Sequence, residues 1–212
     1  MESTQLAESD TEVYSTDEMT GVQALERKYA DKPVRPSSPA LHEFEYIRHG
    51  TTSLIAFLRI ADGHIHAPYL NDTRNEEDFC NAVRQLISES PDKKYIIICD
   101  GLNTHKSEGL VKLVAQECNI CADLGVKGKS GVLKSMKSRE KFLINTDHRI
   151  RFVYTPKHSS WVKQIEIWFG IINRKLLKKS SYISVEEMVQ SIQKFIKQYI
   201  LTAKAFKWNY AG

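Results

Sequence analysis

The order of apolar and polar positions divides the chain into strand-like runs and amphipathic helical stretches. Val13-Tyr14-Ser15-Thr16 is a short β-like run that leads directly into Asp17-Glu18. The runs 54–60 (LIAFLRI) and 64–67 (HIHA) flank an Ala-Asp-Gly turn. That is a hairpin signal, because Asp and Gly reach turn conformations that bulky side chains resist. Thr73-Arg74-Asn75-Glu76 reads as a capping box opening a helix of about 14 residues, with Phe79, Val83 and Leu86 on one face. The stretch 93–99 becomes continuously apolar, as in a strand buried on both faces, and Asp100 ends it.

A second helix is predicted over about 107–118 from Leu110, Leu113 and Val114. Arg151-Phe152-Val153-Tyr154 is a short strand closed by Thr155-Pro156. Residues 160–178 read as a helix with Ile165, Trp168, Phe169, Ile172 and Leu176 on its core face. Ser184-Val185-Glu186-Glu187 is another capping box, and it starts a final helix bearing Val185, Met188, Ile192, Phe195 and Tyr199. Three stretches lack a period. Residues 1–12 read as a disordered leader, 31–41 as an extended loop holding three of the six prolines, and 119–149 as a Lys-, Gly- and Ser-rich segment. Strands come first and later alternate with helices, which predicts an α/β sandwich with a mixed central sheet flanked by helices. The 212 residues suit one domain, spanning 13–212.

Charge changes this picture. Residues 1–100 carry 10 Lys+Arg against 18 Asp+Glu, whereas residues 101–212 carry 20 against 8. A basic half beside an acidic half points to a polyanionic partner on one face. Cys118 and Cys121 form a lone CxxC with no second ligand pair, so the four cysteines read as free thiols. No run of 18 apolar residues occurs, and the acidic, polar N-terminus lacks the order of a signal peptide. The expected location is cytoplasmic, beside the nucleoid.

Three carboxylates stand where acids are costly unless used. Asp17 is placed at the end of the first strand, Asp100 at the end of the most apolar one, and Glu166 on a helix between Ile165 and Ile167. Ligands of open α/β sheets gather at strand carboxyl ends. Three converging carboxylates repel one another unless cations compensate them, and hard oxygen donors suit Mg²⁺ or Mn²⁺. Two such ions about 4 Å apart can activate a nucleophile and stabilise a leaving oxygen in phosphoryl transfer. Taken singly, each acid has an ordinary alternative: a turn residue for Asp17 or Asp100, a surface charge for Glu166.

The segments STDEMTGVQALER, EFEYIRHGT, DGLNTHKSE, DLGVKGKSG, RIRFVYTPKHSSWVKQIEIWFGIINRKLL and FKWNYAG resemble the catalytic domain of bacterial transposases of the insertion-sequence-630/mariner superfamily. The resemblance implies an RNase H-like fold and a DDE triad on Asp17, Asp100 and Glu166, serving as catalytic residues and as ligands of two Mg²⁺ or Mn²⁺ ions. It also implies double-stranded DNA, both transposon ends and target, as substrate, and a homodimer that bridges two ends. In that reaction water cleaves the element's end, and the freed 3′-hydroxyl then joins target DNA. A nuclease of the same fold that only hydrolyses, and a degenerate remnant that only binds DNA, are the competing readings.

Three departures from the relatives stand out. The relatives carry a helix-turn-helix region ahead of the first catalytic strand, whereas here that strand is expected almost at the start, so end-specific binding is not expected of this segment alone. Asp100 and Glu166 lie 66 positions apart, roughly twice the spacing of compact members of the resembled family; the excess is expected as an insertion at 119–149 whose Lys127, Lys129, Lys134 and Lys137 hold phosphates. Lys163 stands where the relatives place Asn, an i, i+3 neighbour of Glu166, and its ammonium is expected to weaken metal affinity. Asn103, Thr104, His105 and Lys106 are candidates to face the scissile phosphate, with His105 either a proton carrier or a hydrogen-bonded structural residue. Arg48, His49, Lys157 and His158 are expected to line the DNA groove together with Lys163, while Trp161 and Trp168 read as core.

Overall fold

The computed structural model describes residues 10–29, 45–156 and 163–207. Five strands form one sheet: β1 (Thr11–Arg27), β2 (Tyr46–Arg59), β3 (Ile65–Asn71), β4 (Lys94–Cys99) and β5 (Ile150–Tyr154). Their order is β3-β2-β1-β4-β5, with β1 to β3 antiparallel and β4 and β5 added parallel to β1. Helices α1 (Glu76–Glu89), α2 (Glu108–Glu117) and α3 (Met136–Leu143) cover one face. Helices α4 (Ile165–Ile172) and α5 (Val185–Ile200) cover the other. The mixed α/β sandwich is the layering that the order of elements predicts.

Alternation along β2 builds both cores at once. Ile55 and Phe57 point to a first core with Phe79, Val83 and Leu86 of α1 and Leu110, Val111 and Val114 of α2. Leu54, Ala56 and Leu58 point to a second, with Ile165, Trp168 and Phe169 of α4 and Met188 and Ile192 of α5. A sheet covered on both faces has no polar side, hence the unbroken apolar runs in β2 and β4. Trp168 is fully buried, as expected, whereas Trp161 lies outside the described residues. All four cysteines are free thiols. Among the described residues no helix is long and apolar enough to cross a membrane.

Three expectations are corrected, and segment 119–149, where the pattern gave no elements, proves to be structured. Strand β1 does not end before Asp17. It begins at Thr11, inside the expected leader, and continues to Arg27. Pairing with β4 stops at Ser15↔Ile98, but pairing with β2 runs on through Asp17↔Ala56 to Arg27↔Tyr46. Beyond Asp17 the strand has a neighbour on one side only and carries two bulges, so its sequence reads as polar and irregular. Gly21, with φ +63°, sits in the first bulge, between Met19 and Val22.

The cap of α1 is Asn75, not Thr73. Asn75 accepts from the amides of Glu77 and Asp78, and the Asp78 carboxylate accepts from the Asn75 amide, Thr73, Asn71 and Tyr69. Segment 119–149 is folded onto the first core: a 3₁₀ turn (Val132–Lys134) and α3 bury Leu133 and Leu143. A Cβ on Gly131 would meet the Leu124 carbonyl oxygen at 2.6 Å, so the turn needs glycine there. The helix expected over 160–178 is α-helical only from Ile165 to Ile172 and then widens to a π-helical turn at Asn173–Leu177. The proline-rich loop expected at 31–41 lies outside the described residues.

Candidate active site

The site lies where the parallel pairing of β1 and β4 stops. Two residues beyond Ser15 and Ile98 stand Asp17 and Asp100, side by side at the carboxyl ends of the parallel register. Both follow the alternation that aims Ser15 at the α4 face, where the Ile165 amide donates to the Ser15 hydroxyl at 3.3 Å. This contact seats the first turn of α4 over the sheet. It brings Glu166 and, just ahead of the helix, Lys163 to the two aspartates.

Lys163 is the centre of the cluster. Its side chain is 1% exposed, and its ammonium donates to Asp17 Oδ2 and lies 3.5 Å from Asp100 Oδ2. The remaining aspartate oxygens are also engaged. Asp17 Oδ1 accepts from the Glu18 amide at 2.9 Å. Asp100 Oδ1 accepts from the Leu102 amide at 3.1 Å and faces His105 Nδ1 at 2.8 Å. Lys163 therefore binds the aspartates, rather than facing Glu166 as its spacing in the sequence suggested.

Charges follow from these contacts. Burial alone would raise Asp100, but the His105 hydrogen bond and charge, the Leu102 amide and Lys163 together hold it at about 2. Burial would lower His105, yet its contacts with Asp100, Cys99 and Glu18 push it up to about 12. Lys163 is raised in spite of burial by Asp17 and Asp100. Glu166 is raised by partial burial and by the nearby Asp17 carboxylate, whose like charge disfavours its ionisation.

His105 settles into its structural role. It is fully buried, its ring lies 4.1 Å from that of Phe79, and Nε2 faces Glu18 Oε1 at 3.5 Å. Asp17 and Glu18 are successive strand residues, so one carboxylate reaches Lys163 above the sheet and the other reaches His105 below it. Glu18 was the residue that sequence reasoning missed, although this alternation could have found it.

Three basic residues expected to contact DNA are internal. His105 is enclosed as described. Lys106 is 8% exposed, bonded to Glu140 at 2.9 Å and set 4.5 Å over the Tyr154 ring, so it fastens α3 to the sheet. Lys163 is buried between carboxylates. Arg48, Asn103, Lys127, Lys129, Lys134 and Lys137 are exposed, with Lys127 3.6 Å from Glu108. His49 is paired with Glu26 at 2.7 Å. Thr104 is half-buried in the turn after Asp100. Lys157 and His158 lie outside the described residues. Exposed Arg174, Lys175, Lys178 and Lys179, just past α4, form a basic cluster not singled out from the sequence.

Three carboxylates are the right donors for Mg²⁺ or Mn²⁺. As folded, they do not fit a cation held between the aspartates, because the Lys163 ammonium fills that position. Among the described residues no group of three or more His, Cys, Asp or Glu is arranged to hold a metal ion.

A family model described as DDE superfamily endonuclease matches residues 12–189. Solved structures of Mos1 share the fold. A Mos1 mariner paired-end complex with Mn gives a TM-score of 0.52 at 13% identity, over 92% of this chain and 49% of that one. A Mos1 transposase paired-end complex with the left transposon end gives 0.53 at 12%, over 96% and 52%. A pre-cleavage Mos1 transpososome gives 0.53 at 11%, over 96% and 53%. The fold is thus RNase H-like, and the chain spans about half the length of the chains it matches. No curated protein matches it.

Proposed function

The chain belongs to the DDE superfamily of endonucleases, and from that premise we propose that it is the catalytic domain of a DNA transposase of the insertion-sequence-630/mariner kind that its motifs resemble. Its reactions are cleavage of transposon-end DNA and strand transfer into target DNA, and a homodimer holds the two ends. Asp17, Asp100 and Glu166 are the catalytic carboxylates. Mg²⁺ or Mn²⁺ is the cofactor this reading calls for, supplying Lewis acidity to a phosphodiester when bound.

One observation supports the reading: Asp17 and Asp100, far apart in sequence, stand together at the carboxyl edge of the parallel register, under the helix whose first turn carries Glu166. Double-stranded DNA is the partner that the basic half suits. Exposed Arg48, Asn103, Lys129, Arg174, Lys175, Lys178 and Lys179 offer phosphate contacts. A second reading, a remnant that binds DNA without cutting it, is favoured by Lys163 alone.

The test is a supercoiled plasmid incubated with the chain, or with Lys163→Asn, in Mn²⁺ and a duplex bearing free 3′-ends. Nicked and joined products that fall at least a hundredfold in Asp100→Asn are expected from at least one of the two proteins. Nicking without joining would support a hydrolysis-only nuclease. DNA binding with neither product from either protein would leave the remnant.

A further inference from the structure

Resting on that assignment of the carboxylates, we infer that Lys163 is a tethered counter-ion that takes the position of a divalent cation bridging Asp17 and Asp100, so that the folded chain holds such a cation there only when the lysine is removed.

Asp17 offers one oxygen to the Glu18 amide and one to Lys163. Asp100 offers one to Leu102 and His105, and the other faces Lys163. The two oxygens that a bridging cation would use, Oδ2 of each aspartate, are the two that Lys163 engages. An ammonium and a metal ion cannot share that space.

Charge gives a second, independent line. Asp17 and Asp100 both face the buried Lys163 ammonium, so one fixed positive charge already offsets one of the negative charges gathered there. The field that would draw in two divalent ions is reduced before any ion arrives. Glu166 alone among the three candidate ligands is exposed and not bonded to the ammonium.

Position gives a third. Lys163 is anchored at the start of α4, where its carbonyl accepts from the Glu166 amide at 3.2 Å, and its side chain is 1% exposed. A cation from solution would have to expel a charge that is covalently present at high local concentration. Ejecting the ammonium would also open the packing beneath α4.

The experiment titrates Mn²⁺ into the full chain, Lys163→Asn and Lys163→Met by calorimetry, with free Mn²⁺ followed by electron paramagnetic resonance. Thermal unfolding with and without Mn²⁺ checks that each variant is folded. The inference expects both variants to bind Mn²⁺ at least tenfold more tightly than the native chain. It expects Mn²⁺ to raise their melting temperatures and not the native one, and Asp17→Asn added to Lys163→Asn to abolish the gain. Equal affinity in native and variant chains would overturn the inference and leave the transposase reading standing. If folded variants bind no Mn²⁺, the inference fails, and the reading that needs the cation fails with it.

Discussion

At the scale of single residues, the protein turns on one lysine among acids. A buried ammonium between two carboxylates is costly to break from one side, because the abandoned charges stay desolvated. Lys163→Met should therefore lower stability by about 2–4 kcal/mol without metal, the smaller end reflecting the partial exposure of Asp100. Asp17→Asn added to Lys163→Met should recover part of that loss, since the removed charge is one that the missing ammonium had balanced. Urea unfolding of the single and double variants measures this, and purely additive losses would show that the three side chains do not act as one unit. Lys163 was legible in the sequence as an intruder beside Glu166. That it grips the aspartates was not, because its partners depend on where α4 begins.

At the scale of elements, the sequence was read well where a face is buried and poorly where it is not. Strand β4 and helix α5 appear where predicted, and the hairpin turn does too, although β2 begins earlier, at Tyr46, and β3 runs further, to Asn71. The distal half of β1 lacks a neighbour on one side, so its composition resembles a loop although its backbone is extended. Helix α3 contributes one fully buried side chain, Leu143, too little to give a period against seven charged or serine neighbours and flanks. The start of α1 lies in a polar run, 71–78, where the pattern alone does not fix the cap; hydrogen bonding places it at Asn75 rather than Thr73. Asp78 fastens that start. Burial alone would raise it, but hydrogen bonds from Thr73, Asn75, Asn71 and Tyr69 hold its carboxyl below the usual range. Its folded value is depressed, so the stability it contributes is full above the unfolded value near 3.9 and is lost as pH falls through the folded value. Asp78→Asn should cost roughly 1–3 kcal/mol at pH 7. In urea melts the gap from the native chain should narrow as pH falls below the ordinary carboxylate range; a gap that does not change with pH would contradict the assignment.

At the scale of the whole molecule, fold and surface charge were both visible in the sequence, but for different reasons. The fold follows from a sheet that must be covered on both faces, and the alternating elements provide the covers. The charge asymmetry follows from counting alone, yet counting could not separate exposed lysines from Lys106 and Lys163, which are buried. The basic cluster follows directly on α4, the helix that carries Glu166, and offers a phosphate-binding surface next along the chain. Each phosphate contact contributes a slope of about −0.9 to the dependence of log affinity on log salt. Replacing Lys178 and Lys179 with alanine should lower that slope by about 2, as filter binding across a salt series would show. An unchanged slope would move the DNA surface elsewhere.

The most direct test of the meeting of Asp17, Asp100 and Glu166 is a crystal of Lys163→Asn grown with Mn²⁺ and measured at the manganese edge. The account predicts an anomalous peak between Asp17 and Asp100, with Glu166 on its open side. Aspartates that stand apart, or manganese bound only away from them, would contradict it.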